Sequence, residues 1–238
     1  MAINECYKNK YFSILGDSIS TFQGYSVPES AVYYDTARKL ATGVLTPNDT
    51  WWGQVIERLE GELLVNNSFS GSTVCWNPLY EIQSYACSDE RTSSLDRDGI
   101  LPDVIMVYMG INDWGRGSMI FCDEHFDCIS NKNEWFLPAY RLMLEKLKVN
   151  YPYAQIWCFT LPVSRFSDNP DFSFPYRYKG LHISEYCDAI KVSAKQYGCR
   201  LIDLYESSEP YDTVDGFHPT ASGMKTIASA VINELSSK

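Results

Sequence analysis

Five short, uninterrupted runs of apolar residues recur along the chain, and segments with apolar residues at helical spacing separate them. An uninterrupted apolar run, rather than an alternating one, is typical of a parallel strand covered on both faces of its sheet. The runs predict strands at residues 11–15, 62–65, 104–109, 154–159 and 201–204. The helical spacing predicts helices at residues 52–59, 136–147, 183–197 and 224–235.

Strand and helix alternate along the whole sequence, which predicts the α/β class and a doubly wound parallel sheet. Internal repeats, low-complexity stretches and linkers are absent from the sequence. We therefore expect a single domain over residues 1–238, interrupted by inserted loops at about 21–47, 114–133 and 161–181.

Each of these three inserted segments follows a predicted strand and is rich in aromatic residues. Segments after parallel strands emerge at the carboxyl edge of the sheet, where open α/β folds bind their ligands. Long connections in a compact domain are usually functional or mobile. Most of the aromatic residues are expected to pack on one another, while a few line a groove that binds sugars or acyl chains.

The balance of charge argues against two kinds of binding partner. Lys and Arg number 20 against 30 Asp and Glu, so the formal net charge is −10. This balance disfavours binding to nucleic acid or to anionic lipid surfaces.

No apolar run approaches the ~18 residues that span a bilayer. The first residues also lack the apolar core of a signal peptide, so we expect a cytoplasmic protein without membrane contact.

Cysteine and histidine usage argues against a metal site. The eight cysteines form no CxxC pair, and the sequence contains only three histidines. The cysteines are expected to be reduced, buried thiols, with a Cys122–Cys128 disulfide as the alternative in an exported protein. We predict neither a metal nor a cofactor.

Two motifs at opposite ends of the sequence supply candidate catalytic groups. Ser18 ends a Gly-Asp-Ser block that directly follows the first predicted strand. Asp215 lies three residues before His218, a spacing that lets its carboxylate accept a hydrogen bond from imidazole Nδ1–H. Nε2 of the imidazole can then accept a hydroxyl proton. Each motif alone also fits an ordinary turn or helix cap.

Two further motifs offer hydrogen-bond donors for an oxyanion. Gly71 follows the second predicted strand and can present a bare backbone N–H, and Asn112 follows the third strand with a side-chain amide. The Ser18 backbone N–H is a third donor. Nucleophile, base, orienting carboxylate and oxyanion donors together are what acyl transfer requires.

In these four blocks the sequence resembles the GDSL esterases and lipases, or SGNH hydrolases. The matching residues are Ser18, Gly71, Asn112 and His218, in the family's order, and Ile19 replaces the expected leucine. The resemblance implies a flavodoxin-like, three-layer α/β/α sandwich with a five-stranded parallel sheet. It also implies hydrolysis of esters or thioesters without metal or cofactor. The Gly-x-Ser-x-Gly motif of α/β-hydrolases is absent.

From this we predict a serine esterase with Ser18, His218 and Asp215 as its triad and Ser18, Gly71 and Asn112 as its oxyanion hole. The expected substrates are short-chain esters, with O-acetyl groups on carbohydrates foremost. A thioesterase or lysophospholipase, and a non-catalytic carbohydrate-binding protein, remain alternatives. The predicted partner is thus a small-molecule or carbohydrate ester, and the sequence gives no oligomeric state.

Other polar residues near the motifs are expected to have structural roles. Asp17 and Asp113 should accept backbone N–H groups, and His125 and His182 should lie on the surface or in a lid. Trp52 should pack inward. Three arginines are expected to be solvated, with binding of an anionic substrate group as the alternative: Arg116, Arg165 and Arg177.

Overall fold

The computed structural model describes residues 3–26, 28–76, 84–120 and 133–237. Its strands are β1 (Tyr11–Gly16), β2 (Glu62–Ser68), β3 (Val104–Tyr108), β4 (Gln155–Phe159), β5 (Ser164–Arg165), β6 (Arg177–Tyr178), β7 (Leu181–His182), β8 (Arg200–Ile202) and β9 (Tyr211–Asp212). Its α-helices are α1 (Ile3–Tyr7), α2 (Thr36–Thr42), α3 (Trp51–Arg58), α4 (Asp89–Thr92), α5 (Ile111–Arg116), α6 (Phe136–Asn150), α7 (Ile183–Gln196), α8 (Leu204–Ser207) and α9 (Ala221–Ser236). Short 3₁₀ helices cover Ser18–Ser20, Glu29–Ala31 and Pro47–Asp49.

Five strands form a parallel sheet in the order β2-β1-β3-β4-β8. Numbered within the sheet, this is the 2-1-3-4-5 order of flavodoxin-like doubly wound folds. At the carboxyl end of β1, Gly16 pairs with Ser68 of β2 and with Tyr108 of β3. The five predicted strands all contribute to this sheet, which confirms the predicted fold class.

Two predicted strand ends were wrong by more than one residue. β2 continues to Ser68, so Asn66 and Asn67 lie inside the strand rather than after it. β8 ends at Ile202 because Asp203, at the N-cap of α8, turns the chain and accepts a hydrogen bond from the Thr160 hydroxyl at 2.8 Å.

Helices cover the sheet in two layers. In one layer α3 packs against α9, and in the other α6 packs against α4 and α7. The predicted periodicity of α6 is confirmed, because its apolar residues are buried: Phe136, Tyr140, Met143, Leu144 and Leu147. In the described residues no helix is both long and apolar enough to cross a membrane.

Two tryptophans at the start of α3 connect the core to the turn after β1. Trp51 and Trp52 are both buried, as predicted for Trp52. The indole N–H of Trp51 donates to the Ser20 hydroxyl at 3.1 Å, and that of Trp52 donates to the Ser20 carbonyl at 3.0 Å. The turn carrying Ser18 is therefore fixed from the core side.

The inserted segments contain more regular structure than expected. The first includes α2 and the 3₁₀ helix Glu29–Ala31. Asp35 caps α2 by accepting the backbone N–H of Arg38. The second begins inside α5. Its residues 121–132, which include Cys122, His125 and Cys128, lie outside the described residues. The third contains β5, which pairs with β9, and the β6–β7 hairpin.

Candidate active site

Ser18 lies just beyond the carboxyl end of β1. Gly16 ends that strand, and a Cβ there would come within 2.6 Å of the Ser68 hydroxyl, so the close approach of β1 and β2 requires glycine. Asp17 caps the 3₁₀ helix by accepting the backbone N–H of Ile19 at 3.0 Å. This contact confirms the structural role predicted for Asp17.

The loop before α9 brings His218 to the same edge of the sheet. The backbone N–H of Val214 donates to the His218 carbonyl, and the Tyr34 hydroxyl donates to the Pro219 carbonyl at 2.9 Å. Gly216 has a φ of +92°, a left-handed conformation that favours glycine.

Ser18, His218 and Asp215 form one hydrogen-bonded chain. Oγ of Ser18 lies 3.0 Å from Nε2 of His218, and Nδ1 of His218 lies 2.7 Å from Oδ2 of Asp215. The other carboxylate oxygen of Asp215 accepts the backbone N–H groups of Phe217 at 2.9 Å and of His218 at 2.8 Å. The three residues predicted as a triad are thus in direct contact.

The surroundings of Asp215 keep its carboxylate ionised. Partial burial acts to raise its pKa, but the hydrogen bonds from the side chain and backbone of His218, with that from Phe217, lower the pKa to about 2. An ionised Asp215 can accept from imidazole Nδ1–H, which leaves Nε2 as the acceptor toward Ser18.

The two other predicted donors lie on neighbouring loops. Gly71 has a φ of +78° in the turn after β2, and Asn112 lies in the first turn of α5. The Asn112 amide donates one hydrogen bond to the Ser72 carbonyl at 3.0 Å, which joins these loops. An amide nitrogen carries two N–H donors, so one remains for a ligand.

Asp113 holds the neighbouring loop, as predicted. Its carboxylate accepts the backbone N–H groups of Val74 at 2.8 Å and of Cys75 at 3.2 Å. Complete burial raises the pKa of Asp113 to about 6 and that of Asp17 to about 7, and hydrogen bonds lower each pKa in part.

A cavity of about 260 Å³ opens beside Ser18 and His218. The residues that line it include Ile19, Ile111, Trp114, Arg116, Tyr178 and Phe217. Trp114 is buried and its ring stacks on Phe174, at 5.5 Å between centroids, whereas Tyr178 is 42% exposed at the cavity. A larger cavity, of about 400 Å³, contains none of the predicted catalytic or oxyanion residues.

The remaining predicted residues divide among several environments. His182 lies outside the cavity, where it caps α7 and stacks on Tyr176. Arg165 forms an ion pair with Asp212 at 2.7 Å. Arg177 is exposed and lies 3.9 Å from Glu185, while Arg116 lines the cavity. In the ranges that the structure describes, no cluster of three His, Cys, Asp or Glu side chains could hold a metal ion.

The sequence did not indicate that two further residues, Tyr33 and Arg91, contact the candidate site or the loops that carry it. Tyr33 stacks on His218, and Arg91 is buried beneath the loops that carry Ser18 and Gly71. The aromatic character of the first inserted segment was the only signal for Tyr33, and nothing in the local pattern around Arg91 indicated burial.

Similar structures cover nearly the whole chain. A candidate GDSL-like lipase from Bacteroides ovatus is 26% identical, with a TM-score of 0.73 over 97% of this chain and 100% of the other. A candidate GDSL-like lipase from Bacteroides uniformis is 30% identical, with a TM-score of 0.70 over 97% of each chain. A family two carbohydrate esterase from Clostridium thermocellum is 14% identical, with a TM-score of 0.57 over 98% of this chain and 64% of the other, which shows a shared fold.

The fold and these relatives define a class, the ester hydrolases built on a flavodoxin-like α/β/α sandwich. Within that class, the chain belongs to the GDSL-like lipase/acylhydrolase family, whose sequence pattern matches residues 10–164. No functionally curated protein matches this sequence.

Proposed function

We propose that the protein is a serine esterase in which Ser18 is the nucleophile, His218 the general base and Asp215 the residue that orients the base. The observation that carries the proposal is the hydrogen-bonded chain from Ser18 through His218 to Asp215. A nucleophile within hydrogen-bond reach of a base, itself oriented by a third group, is the arrangement that activates a serine hydroxyl.

The reaction proceeds through an acyl-enzyme. Ser18 Oγ attacks the ester carbonyl carbon while its proton passes to Nε2 of His218. As the tetrahedral intermediate collapses, the bond to the alcohol breaks and His218 returns the proton to the leaving oxygen. Water then attacks the acyl-Ser18 ester and gives a proton to His218. The bond between the acyl carbon and Oγ of Ser18 breaks, His218 returns the proton to Oγ, and the carboxylic acid is released.

Three donors stabilise the oxyanion in this proposal: the backbone N–H groups of Ser18 and Gly71 and the side-chain amide of Asn112. The hydrogen bond from Asn112 to Ser72 supports it, because it holds the amide beside the loop that carries Gly71. Donors fixed in advance need no reorganisation as negative charge develops on the substrate oxygen.

The proposed substrates are short-chain esters, with O-acetyl groups on carbohydrates foremost. A cavity of about 260 Å³ suits a small acyl or alcohol group rather than a long lipid chain. The partly exposed ring of Tyr178 offers an apolar face of the kind that packs on a sugar ring. The carbohydrate esterase from Clostridium thermocellum shares the fold.

The test compares hydrolysis of p-nitrophenyl acetate, butyrate and octanoate by the wild type and by Ser18→Ala. We expect turnover by the wild type, fastest on acetate, and a loss of at least about 10³-fold in the variant. A fluorophosphonate probe should label the wild type and not the variant. Equal rates and equal labelling in the two proteins would falsify the proposed role of Ser18.

A second comparison addresses the substrate class. An O-acetylated oligosaccharide should release acetate faster than a lysophospholipid releases fatty acid at matched concentration. The opposite ranking would replace the carbohydrate ester with a lipid ester, and labelling of Ser18 by the probe would be unaffected.

A further inference from the structure

The side chain of Tyr33 contacts both of the residues proposed to activate Ser18. Its ring lies flat on the imidazole of His218, with 3.6 Å between centroids and 7° between planes. Its hydroxyl donates a hydrogen bond to Oδ2 of Asp215 at 3.3 Å. The same carboxylate oxygen faces Nδ1 of His218. One tyrosine from the first inserted segment thus spans the histidine–aspartate pair.

The far face of the Tyr33 ring is covered as well. The guanidinium of Arg38 lies over the ring at 4.9 Å from its centroid. Because the imidazole of His218 occupies one face at 3.6 Å, Arg38 lies on the other. Arg38 is itself paired with Asp35 at 3.0 Å. The backbone N–H of Tyr33 donates to the hydroxyl of Thr21 at 2.9 Å, which fixes the base of the side chain.

We propose that Tyr33 is a positioning residue for the general base, an inference that rests on the catalytic roles proposed above for Ser18, His218 and Asp215. A ring stacked face to face prevents the imidazole from tilting, so that Nε2 stays directed at Ser18. The Tyr33 hydroxyl stabilises the carboxylate that holds Nδ1–H. When His218 accepts a proton, the imidazolium faces an aromatic ring, a favourable cation–π contact.

Tyr33 acts on the base rather than on the substrate. It is not among the described residues that line the cavity of about 260 Å³. Removing the ring should therefore lower kcat and leave KM for a small ester close to its wild-type value. A loss of alignment costs rate because a displacement of about 1 Å can reduce turnover by about 10²-fold.

The test uses two substitutions at Tyr33 and one matched control. Tyr33→Leu removes the stack and the hydroxyl, and we expect kcat for p-nitrophenyl acetate to fall by about 10- to 100-fold with KM within twofold. Tyr33→Phe keeps the stack and should recover most of kcat, to within about fivefold of the wild type. Tyr25→Leu is the control, because Tyr25 belongs to the same inserted segment but packs on Phe22 and Trp52.

Fluorophosphonate labelling isolates the activation of Ser18 from later steps. The labelling rate should fall in Tyr33→Leu, recover in Tyr33→Phe and be unchanged in Tyr25→Leu, with circular dichroism and Tm establishing that each variant is folded. A wild-type kcat in folded Tyr33→Leu, or a KM effect without a kcat effect, overturns the positioning role. If Ser18→Ala still hydrolyses the ester and still takes the label, the proposed function fails instead.

Discussion

Oγ of Ser18 and Nε2 of His218 lie 3.0 Å apart although 200 positions separate them in the sequence. The contact follows from the fold. Ser18 follows the carboxyl end of the second strand in the sheet order, and His218 lies on the loop that enters the last helix. In an open parallel sheet the loops that follow the strands lie at one edge. The loops on either side of the reversal in strand order form a crevice there.

Substitution of Asp215 by Asn tests the orienting carboxylate. Asn can still accept the backbone N–H groups of Phe217 and His218, but its neutral amide gives Nδ1 no charged partner. We expect kcat for p-nitrophenyl acetate to fall by about 10³- to 10⁴-fold, with little change in KM. Steady-state kinetics on the purified variant measure this. Loss of less than about tenfold would remove Asp215 from the triad.

The position of Asn112 at the start of α5 gives a second kinetic prediction. Asn112→Ala should lower kcat by about 10²- to 10³-fold and leave KM nearly constant, because a donor to the developing oxyanion is lost. Asn150→Ala is a matched control: the Asn150 amide donates to the Thr92 carbonyl at 2.9 Å, away from the cavity. Equal losses of kcat in the two variants would point to a structural effect only.

The residues of the candidate site could be proposed from the sequence because each lies near a strand end or a helix start. The chain turns there, and short polar or glycine-containing blocks interrupt the apolar pattern. By contrast, the end of β2 could not be predicted, because its last residues are polar and interrupt the apolar run. Their side chains form hydrogen bonds with residues outside the strand. The Asn66 amide donates to the Ser20 carbonyl at 2.9 Å, and the Asn67 amide donates to the carbonyls of Arg91 and Ser94.

The stack of Tyr33 on His218 and the burial of Arg91 could not be predicted from the sequence either. Both depend on how an irregular segment folds back on the sheet edge, and no period of 2 or 3.6 residues encodes such a contact. Arginine is mostly exposed in proteins, so burial is justified only by partners that the fold supplies.

Gly115 lines the cavity of about 260 Å³ beside Ser18, which leads to a prediction about the length of the acyl chain. A Cβ at Gly115 would meet no atom within 4 Å, and the residue lies inside α5 with no left-handed φ. Gly115→Leu should fill part of the cavity and lower kcat/KM for octanoate by at least about tenfold, while acetate stays within about threefold. Hydrolysis of the p-nitrophenyl ester series measures the ratio.

Gly115→Ala is the control for that experiment. It should raise the free energy of unfolding by about 0.5–1 kcal/mol, because alanine loses less backbone entropy than glycine when it adopts a helical conformation on folding. Its ester preference should be that of the wild type. A parallel loss on all chain lengths in Gly115→Leu would contradict the role assigned to the cavity.

Arg91 ties together the two loops that carry the proposed backbone donors. Its guanidinium donates to the Gly16 carbonyl at 2.9 Å and to the Ser72 hydroxyl at 2.8 Å. Two further hydrogen bonds go to the Asn67 carbonyl and the Ser84 hydroxyl. Burial lowers the pKa of Arg91 to about 10, which leaves it charged at neutral pH.

We expect Arg91→Met to lower the free energy of unfolding by about 3–5 kcal/mol, because the variant leaves buried acceptors without a donor. In the folded fraction kcat should fall by about tenfold or more, since Ser18 and Gly71 lose their common support. Urea denaturation and kinetics measure the two effects. Arg97→Met is the matched control, because exposed Arg97 donates to the Leu63 carbonyl at 3.2 Å. A stable, fully active Arg91→Met would contradict this account.

The buried carboxyl of Asp17 predicts how stability changes with pH. Burial raises its pKa in the folded protein to about 7, against 3.8 for the free group, although the hydrogen bond from Ile19 and the charge of Arg91 lower it in part. Between these values the folded state holds a proton that the unfolded state has lost. The contribution of Asp17 to the free energy of unfolding therefore decreases as pH rises from about 4 to about 7. Asp113, whose pKa burial raises to about 6, adds to this slope.

Asp17→Asn isolates this contribution, because the Asn side chain can still accept the backbone N–H of Ile19. The difference in unfolding free energy between wild type and variant should shift in favour of the variant by about 1–4 kcal/mol from pH 4 to pH 7. The carboxylates of Asp212 and Asp215, each with a pKa lowered to about 2, stay ionised in the folded protein across this window, and their contribution is the same in the two proteins. Urea denaturation at closely spaced pH values gives the comparison. Parallel curves for the two proteins would mean that Asp17 is ionised in the folded state throughout, with the charge of Arg91 outweighing the effect of burial.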